Sequence, residues 1–222
     1  MKPIIRFSFV NNWYRGKFEE ALKTLVNPDR ILNPFGSGNI FTAMGSEVHT
    51  RLETYIREHN QLPPEFGFQV KPPLKPEVMY EKDYCDRYSF RCEVDVDSPE
   101  AIIDWKTGKT ALSDWLASKQ LGFYLYIVGG RKYGVIGHYN QYAETYEVGV
   151  KHCTAQVMQE ALDVVNIAAN DALDYCDAYD IPTRPLYEND CKNIYWLAKN
   201  GSKLDAKAMD KRIKKLVKEI NV

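Results

Sequence analysis

Residues 91–108, Arg91-Cys92-Glu93-Val94-Asp95-Val96-Asp97-Ser98-Pro99-Glu100-Ala101-Ile102-Ile103-Asp104-Trp105-Lys106-Thr107-Gly108, decide how the rest of this chain is read. Two strands joined by a tight turn are expected, over Ser89 to Asp97 and Ala101 to Lys106. Strand side chains alternate between faces, so Glu93, Asp95 and Asp97 share one face while Val94 and Val96 take the other. On the next strand Ile102, Asp104 and Lys106 share a face. With Ser98-Pro99 as the two-residue turn, Asp97 stands across from Glu100, Asp95 from Ile102 and Glu93 from Asp104. That register gathers every acid and Lys106 on one face. Like charges so close on a half-buried sheet repel unless a cation sits among them. Carboxylates are hard ligands suited to Mg²⁺, which keeps positions open for waters or phosphate oxygens. Lys106, two residues past Asp104, then points at the same centre, within reach of an attacking water or a phosphate oxygen. An isolated D-x-K triplet on a solvent-facing hairpin calls for no ion, so the surroundings carry the decision.

Working outward, Trp13, Phe18, Leu22 and Leu25 have helical spacing, which predicts a helix over 13–26 closed by Pro28. A loop rich in Pro, Gly and Ser over 33–39 leads into a second helix from about Thr42 to Glu58, with His49 near its middle. Five prolines and Gly67 between Leu62 and Pro76 predict an extended connector over the surface. A strand over Glu77 to Tyr84 precedes the hairpin, and the three strands read as an antiparallel meander. Ser113 to Val128 reads as one helix stopped by Gly129-Gly130, followed by strands at about Lys132–Asn140 and Thr145–Lys151. Val157, Ala161, Val165, Ala168, Ala172 and Tyr175 form the stripe of a helix broken by Pro182 and Pro185. The last part, about 188 to 220, reads as helical and increasingly basic.

Four stretches along this order resemble the signatures of the RecB-like branch of the PD-(D/E)xK nucleases. Gly45-Ser46-Glu47-Val48-His49 is similar to the family's helical histidine motif, and Cys92-Glu93-Val94-Asp95 to its G-x-x-D strand. Ile102-Ile103-Asp104-Trp105-Lys106-Thr107-Gly108 matches the apolar strand ending in D-x-K-T-G in full. Gln120-Leu121-Gly122-Phe123-Tyr124 matches Q-x-x-x-Y, with Gln120 and Tyr124 one helical turn apart. The match runs over roughly 42–128, and Phe7-Ser8-Phe9 before a helix also resembles the family.

The resemblance implies an α/β, restriction-endonuclease-like core: a central mixed β-sheet of about five strands flanked by helices, with an N-terminal helical segment and C-terminal helices. It implies one nuclease domain over 1–222, its core at about 42–151 and a basic helical part at about 188–222. By the same resemblance Asp95, Asp104, His49 and the Trp105 carbonyl would hold one or two Mg²⁺ or Mn²⁺ ions. Lys106 would be the base or water-positioner, Gln120 and Tyr124 would orient Lys106 and the DNA backbone, and Glu81 is a candidate outer acid. Two departures stand out: Cys92 replaces the motif glycine, and the stretch between Asp95 and Asp104 is shorter than usual. They leave open whether Glu93 or Asp97 shares the metal with Asp95. Relatives with an iron–sulfur staple carry one cysteine before the histidine and three grouped near the C-terminus. Here none precedes His49 and the five cysteines are scattered, so no cluster is expected.

Composition fits these expectations. The 222 residues, 45% hydrophobic and 27% charged, suit one soluble domain, and no apolar run is long enough for a membrane span. The segment from Met1 to Trp13 lacks the apolar run of a secretory signal, so a cytoplasmic setting is expected, with a phage origin acting in a host as one such setting. Cys85, Cys92, Cys153, Cys176 and Cys191 form no C-x-x-C pair and read as reduced thiols. At a net charge of −1, contact with DNA must come from a local patch: Arg51, Lys109, Lys119, and the tail carrying Lys199, Lys203, Lys207, Lys211, Arg212, Lys214, Lys215 and Lys218. A solvated helical end is an equal reading of that tail. Trp13, Tyr14 and Trp115 could stack on bases, although burial suits most of them better. The leading expectation is an exonuclease acting on DNA ends or flaps. An endonuclease or junction-resolving enzyme, which would need a homo-oligomer to cut both strands, and a non-catalytic DNA-binding assembly protein are the alternatives.

Overall fold

The computed structural model describes residues 2–17, 21, 22, 24, 25, 40–140, 143–178 and 183, with only the backbone described for 40–44. The elements are β1 (Ile4–Ile5), α1 (Phe7–Tyr14), α2 (Ile40–His59), β2 (Lys75–Asp83), β3 (Ser89–Asp97) and β4 (Ala101–Thr107). After them come α3 (Leu112–Ala117), α4 (Gln120–Val128), β5 (Tyr133–Asn140), β6 (Thr145–His152) and α5 (Ala155–Ala178). The strands form a mixed sheet in the order β1-β3-β4-β5-β6, with β2 also paired to β3. The expected α/β architecture is therefore present. None of the described helices is long and apolar enough to cross a membrane.

The chain divides into two compact units, Met1–Gly36 with Lys82–Arg91 and Val165–Val222, and Ser37–Glu81 with Cys92–Val164. In the first, β1 pairs in parallel with the start of β3, Ile4 beside Ser89 and Ile5 beside Phe90. The helix expected over 13–26 starts earlier: α1 already begins at Phe7 and ends at Tyr14, and residues 21, 22, 24 and 25 are again helical. Trp13 is buried, its Nε1 donating to Asp171 Oδ2 at 2.9 Å, which makes it a packing residue. The basic helical part expected at about 188–222 lies outside the described residues.

In the second unit, Val48, Leu52 and Ile56 recur every four residues along α2 and bury one stripe, each such side chain contributing roughly 1.5–3 kcal/mol. The helix closes at Asn60, whose left-handed φ of 53° lets its N–H reach the Ile56 carbonyl while its Oδ1 accepts from the Leu74 N–H. The proline-rich connector is not a surface strap. Leu62, Phe66, Val70 and Leu74 are buried in the same core as Val48, Ile103, Trp105 and Val135. Prolines stop regular structure but leave apolar side chains free to turn inward.

β4 and β5 run parallel, from Ala101 beside Tyr133 to Thr107 beside Tyr139, and β5 and β6 run antiparallel. The α3–α4 segment makes the crossover. The predicted helix over 113–128 is in fact these two helices, separated at Ser118, whose ψ of 146° is extended. Lys151 Nζ donates to the Leu116 and Ser118 carbonyls at 2.5 and 3.1 Å and stabilises the break. Trp105 lies flat against Gly137, where an added Cβ would meet the indole at 2.1 Å, so only glycine fits beside it.

Candidate functional site

The site sits where the β3–β4 pair opens. Val96 stands across from Ile103 and Asp97 from Ile102, two residues out of step with the expected register. The reason lies in the turn. Ser98 pairs with Ala101 through its N–H to the Ala101 carbonyl at 2.9 Å, and its Oγ accepts from Ala101 N–H at 3.0 Å, so Pro99-Glu100 is the two-residue loop. A shift of two keeps every side chain on its face but exchanges partners, bringing Asp95 toward Asp104 instead of Ile102. One step beyond Val96, the Trp105 N–H is taken by Asp95 Oδ2 at 2.6 Å. In a strand a residue's N–H and C=O leave on the same side, so the Trp105 carbonyl also faces this opening.

Around Asp95 and Asp104 the structure brings together His49, Lys106, Gln120 and Tyr124. His49 Nδ1 on α2 is 3.7 Å from Asp95 Oδ1. Gln120, the first residue of α4, donates from Nε2 to Asp104 Oδ1 at 3.3 Å and lies 2.8 Å from Tyr124 Oη. Lys106 Nζ pairs with Asp104 Oδ2 and lies 5.1 Å from the centre of the Trp115 ring. The Asp104 Oδ2 that it pairs with is buried. Among the described residues no three His, Cys, Asp or Glu side chains are arranged to hold an ion by themselves. The grouping is two carboxylates with an imidazole at their edge, open to a backbone carbonyl and to added ligands.

The electrostatics reflect crowding. Burial, and then the neighbouring Asp104, push the Asp95 carboxyl up to about 8, although a quarter of its side chain still reaches water. Burial lowers His49; Asp104 works against that and Lys106 with it. Burial and then Asp104 also raise the Tyr124 hydroxyl, keeping it a neutral partner for Gln120. Acid is thus in excess, and added positive charge would be welcomed.

The other acids named from the sequence part company with the site. Asp97, 4% exposed, belongs to Arg131 and Tyr80: Arg131 donates to its two oxygens at 2.8 and 2.9 Å and Tyr80 Oη donates at 2.6 Å. Glu93 and Glu81 are exposed. Glu93 raises Asp95 as a like charge, after burial and Asp104. Of the candidate DNA-contacting cations, Lys119 is tied to Glu160 at 2.5 Å and Arg51 donates to Tyr146 Oη at 2.5 Å, while Lys109 is exposed.

No family profile matches the sequence, and no curated protein does. Solved structures do match. The chain superposes on the alkaline exonuclease LHK-Exo from Laribacter hongkongensis with a TM-score of 0.50 at 10% identity, covering 79% of this chain and 91% of that one. The same exonuclease in complex with dAMP gives a TM-score of 0.50 at 10% identity, covering 79% and 90%. The protein SSO0001 matches with a TM-score of 0.52 at 15% identity, covering 92% of this chain and 89% of that one. The chain shares the fold of an exonuclease.

Within this fold the sequence reading missed the polar contacts at the end of β4. His138 on β5 is 1% exposed, with Nε2 3.2 Å from the Gly108 carbonyl and Nδ1 3.1 Å from Glu147 Oε2. Its distance of 30 residues from Gly108 leaves no local periodicity to expose it. A histidine in an otherwise apolar strand was the one available signal. Trp115 was expected as a base-stacking or core residue; its contact with Lys106 depends on the chain turning back after β4.

Proposed function

We propose that this chain is a metal-dependent deoxyribonuclease of the RecB-like PD-(D/E)xK type, an exonuclease that hydrolyses phosphodiester bonds at DNA ends or flaps. The observation that carries this reading is a pair of neighbouring carboxyls, Asp95 and Asp104, crowded enough that burial and like charge push Asp95 up, with the single ammonium of Lys106 paired to Asp104 Oδ2. Two carboxylates side by side in a largely buried place repel unless more positive charge joins them, and one ammonium does not balance both. The donor set fits a hard divalent cation: Asp95 and Asp104 supply carboxylate oxygens, the Trp105 carbonyl faces the same opening, and His49 adds a nitrogen. Bound there, Mg²⁺ or Mn²⁺ would supply Lewis-acid charge at the scissile phosphate.

The remaining work falls to the chain's own groups. Lys106, 16% exposed and backed by the Trp115 ring, hydrogen-bonds the attacking water or a non-bridging phosphate oxygen. Gln120 holds Asp104 Oδ1 in orientation, and Tyr124 holds Gln120. His49 stays available as a neutral ligand because burial lowers it. The alkaline exonuclease of the same fold has been solved with dAMP, and a nucleoside monophosphate is the product expected here.

The test uses end-labelled linear and closed circular DNA, single- and double-stranded, with Mg²⁺, Mn²⁺ or EDTA. Mononucleotides released from linear DNA alone, and only with metal, are the expected result. Nicked circles would make the protein an endonuclease, and no metal-dependent product in any lane would overturn the nuclease reading.

A further inference from the structure

Among the described residues of the second unit, His138 is the most deeply buried polar side chain that the reaction does not use. It lies beside Lys106 in the parallel β4–β5 ladder, so the two side chains share a face of the sheet. We propose that His138, oriented by Glu147, is a positioning residue that fixes the end of β4, and through it Lys106 and Asp104, by holding the Gly108 carbonyl. The catalytic consequence rests on the nuclease reading; the structural half does not.

Three observations carry it. Gly108 has a φ of 113°, a conformation side-chain-bearing residues rarely adopt, and follows Lys106 by two residues. A glycine there swings freely unless its peptide groups are held. Consecutive residues of β5 hold it from both sides: its N–H donates to the Tyr139 carbonyl at 3.2 Å, and its own carbonyl is 3.2 Å from His138 Nε2. A carbonyl only accepts, so Nε2 carries a hydrogen, and Nδ1 is left facing Glu147 Oε2 at 3.1 Å. The ring cannot flip without losing both partners. A histidine serving only to fill space would need neither. From Gly108 the chain leads directly into α3, which carries Trp115 to the Lys106 ammonium, so a loosened Gly108 releases the lysine at two points.

The experiment compares His138→Leu, His138→Gln and Glu147→Gln with the parent in two measurements. One is amide hydrogen exchange of peptides covering 105–116, with and without Mn²⁺, and the other is kcat and KM on linear DNA at saturating Mn²⁺. His138→Leu is expected to lose protection in 105–112 and to lower kcat about 10–100-fold with KM within about twofold, the range typical of groups that orient metal ligands. His138→Gln, which keeps a donor near Nε2, recovers most of both. Glu147 is half exposed, so Glu147→Gln keeps the fold and is expected to lower kcat about 3–10-fold, which tests the proposal even where His138→Leu fails to fold. Parental exchange in 105–112 for His138→Leu, or parental kcat for Glu147→Gln, overturns it. A parent that cuts no DNA sinks the nuclease reading alone, since exchange still reports on the clamp.

Discussion

Asp95 and Asp97 stand two residues apart on one strand and one face, yet their surroundings are opposite. Asp97 has the bidentate guanidinium of Arg131 and the Tyr80 hydroxyl, so its charge is balanced and both its oxygens are used. Asp95 has a second carboxylate for a neighbour, one backbone N–H and a histidine edge, while the nearest ammonium belongs to Asp104. The hairpin therefore has a finished end and an unfinished end. Saturation marks an acid that holds the fold, and the shortfall of positive charge beside Asp95 and Asp104 is what the proposed metal would make up.

The largest expected effects come from the unfinished end. Lys106→Ala should lower the rate of metal-dependent DNA cutting about 10³-fold while gel-shift affinity for DNA stays near parental. Asp104→Asn should be as inactive, while its melting temperature in EDTA should fall less than that of Arg131→Met, because relief of the like charge beside Asp95 offsets the ion partner that Lys106 loses. A large loss of stability there would erase the contrast with Asp97.

Next in size is the finished end. Arg131→Met leaves Asp97 buried without its partner and should lower the unfolding free energy by about 2–3 kcal/mol in urea titration, with kcat within about threefold. Adding Asp97→Leu should restore most of that stability. A catalytic collapse in Arg131→Met would place Asp97 in the site after all.

Smaller effects follow from pH. Asp95 titrates near 8 when folded and in the ordinary carboxylate range when unfolded, so between those values the folded state binds the extra proton. Metal-free protein should thus lose stability as pH rises from about 5 to 8, relative to Asp95→Asn. Saturating Mn²⁺ should flatten the difference, which calorimetry at several pH values measures. Smallest of all is the exposed Lys119–Glu160 pair. Lys119→Gln should leave the denaturation midpoint and kcat unchanged within error.

Much of this contrast could be read before folding. Alternation put Asp95, Asp97, Asp104 and Lys106 on common faces, and helical spacing put Gln120 and Tyr124 on one turn, because both patterns depend on neighbours a few residues away. Register could not be read the same way: Ser98 Oγ caps the turn one residue later than a Ser-Pro turn implies, and that exchanged Ile102 for Asp104 as the group facing Asp95. Phe66 and Leu74 were hidden by prolines that describe the backbone but not the direction of the side chains. The break at Ser118 has its cause 33 residues away, in Lys151.

By itself, then, the sequence determined the alternation of elements, the mixed α/β character and the set of acids, lysine, amide and phenol that stand near one another. Tertiary structure decided which acid is neutralised and which is left wanting. Arg131 reaches Asp97 from 34 residues on, and His138 reaches Gly108 from 30. Charge balance at a buried carboxylate depends on whatever the folded chain brings within a few ångströms, and periodicity along the chain carries no record of that distance.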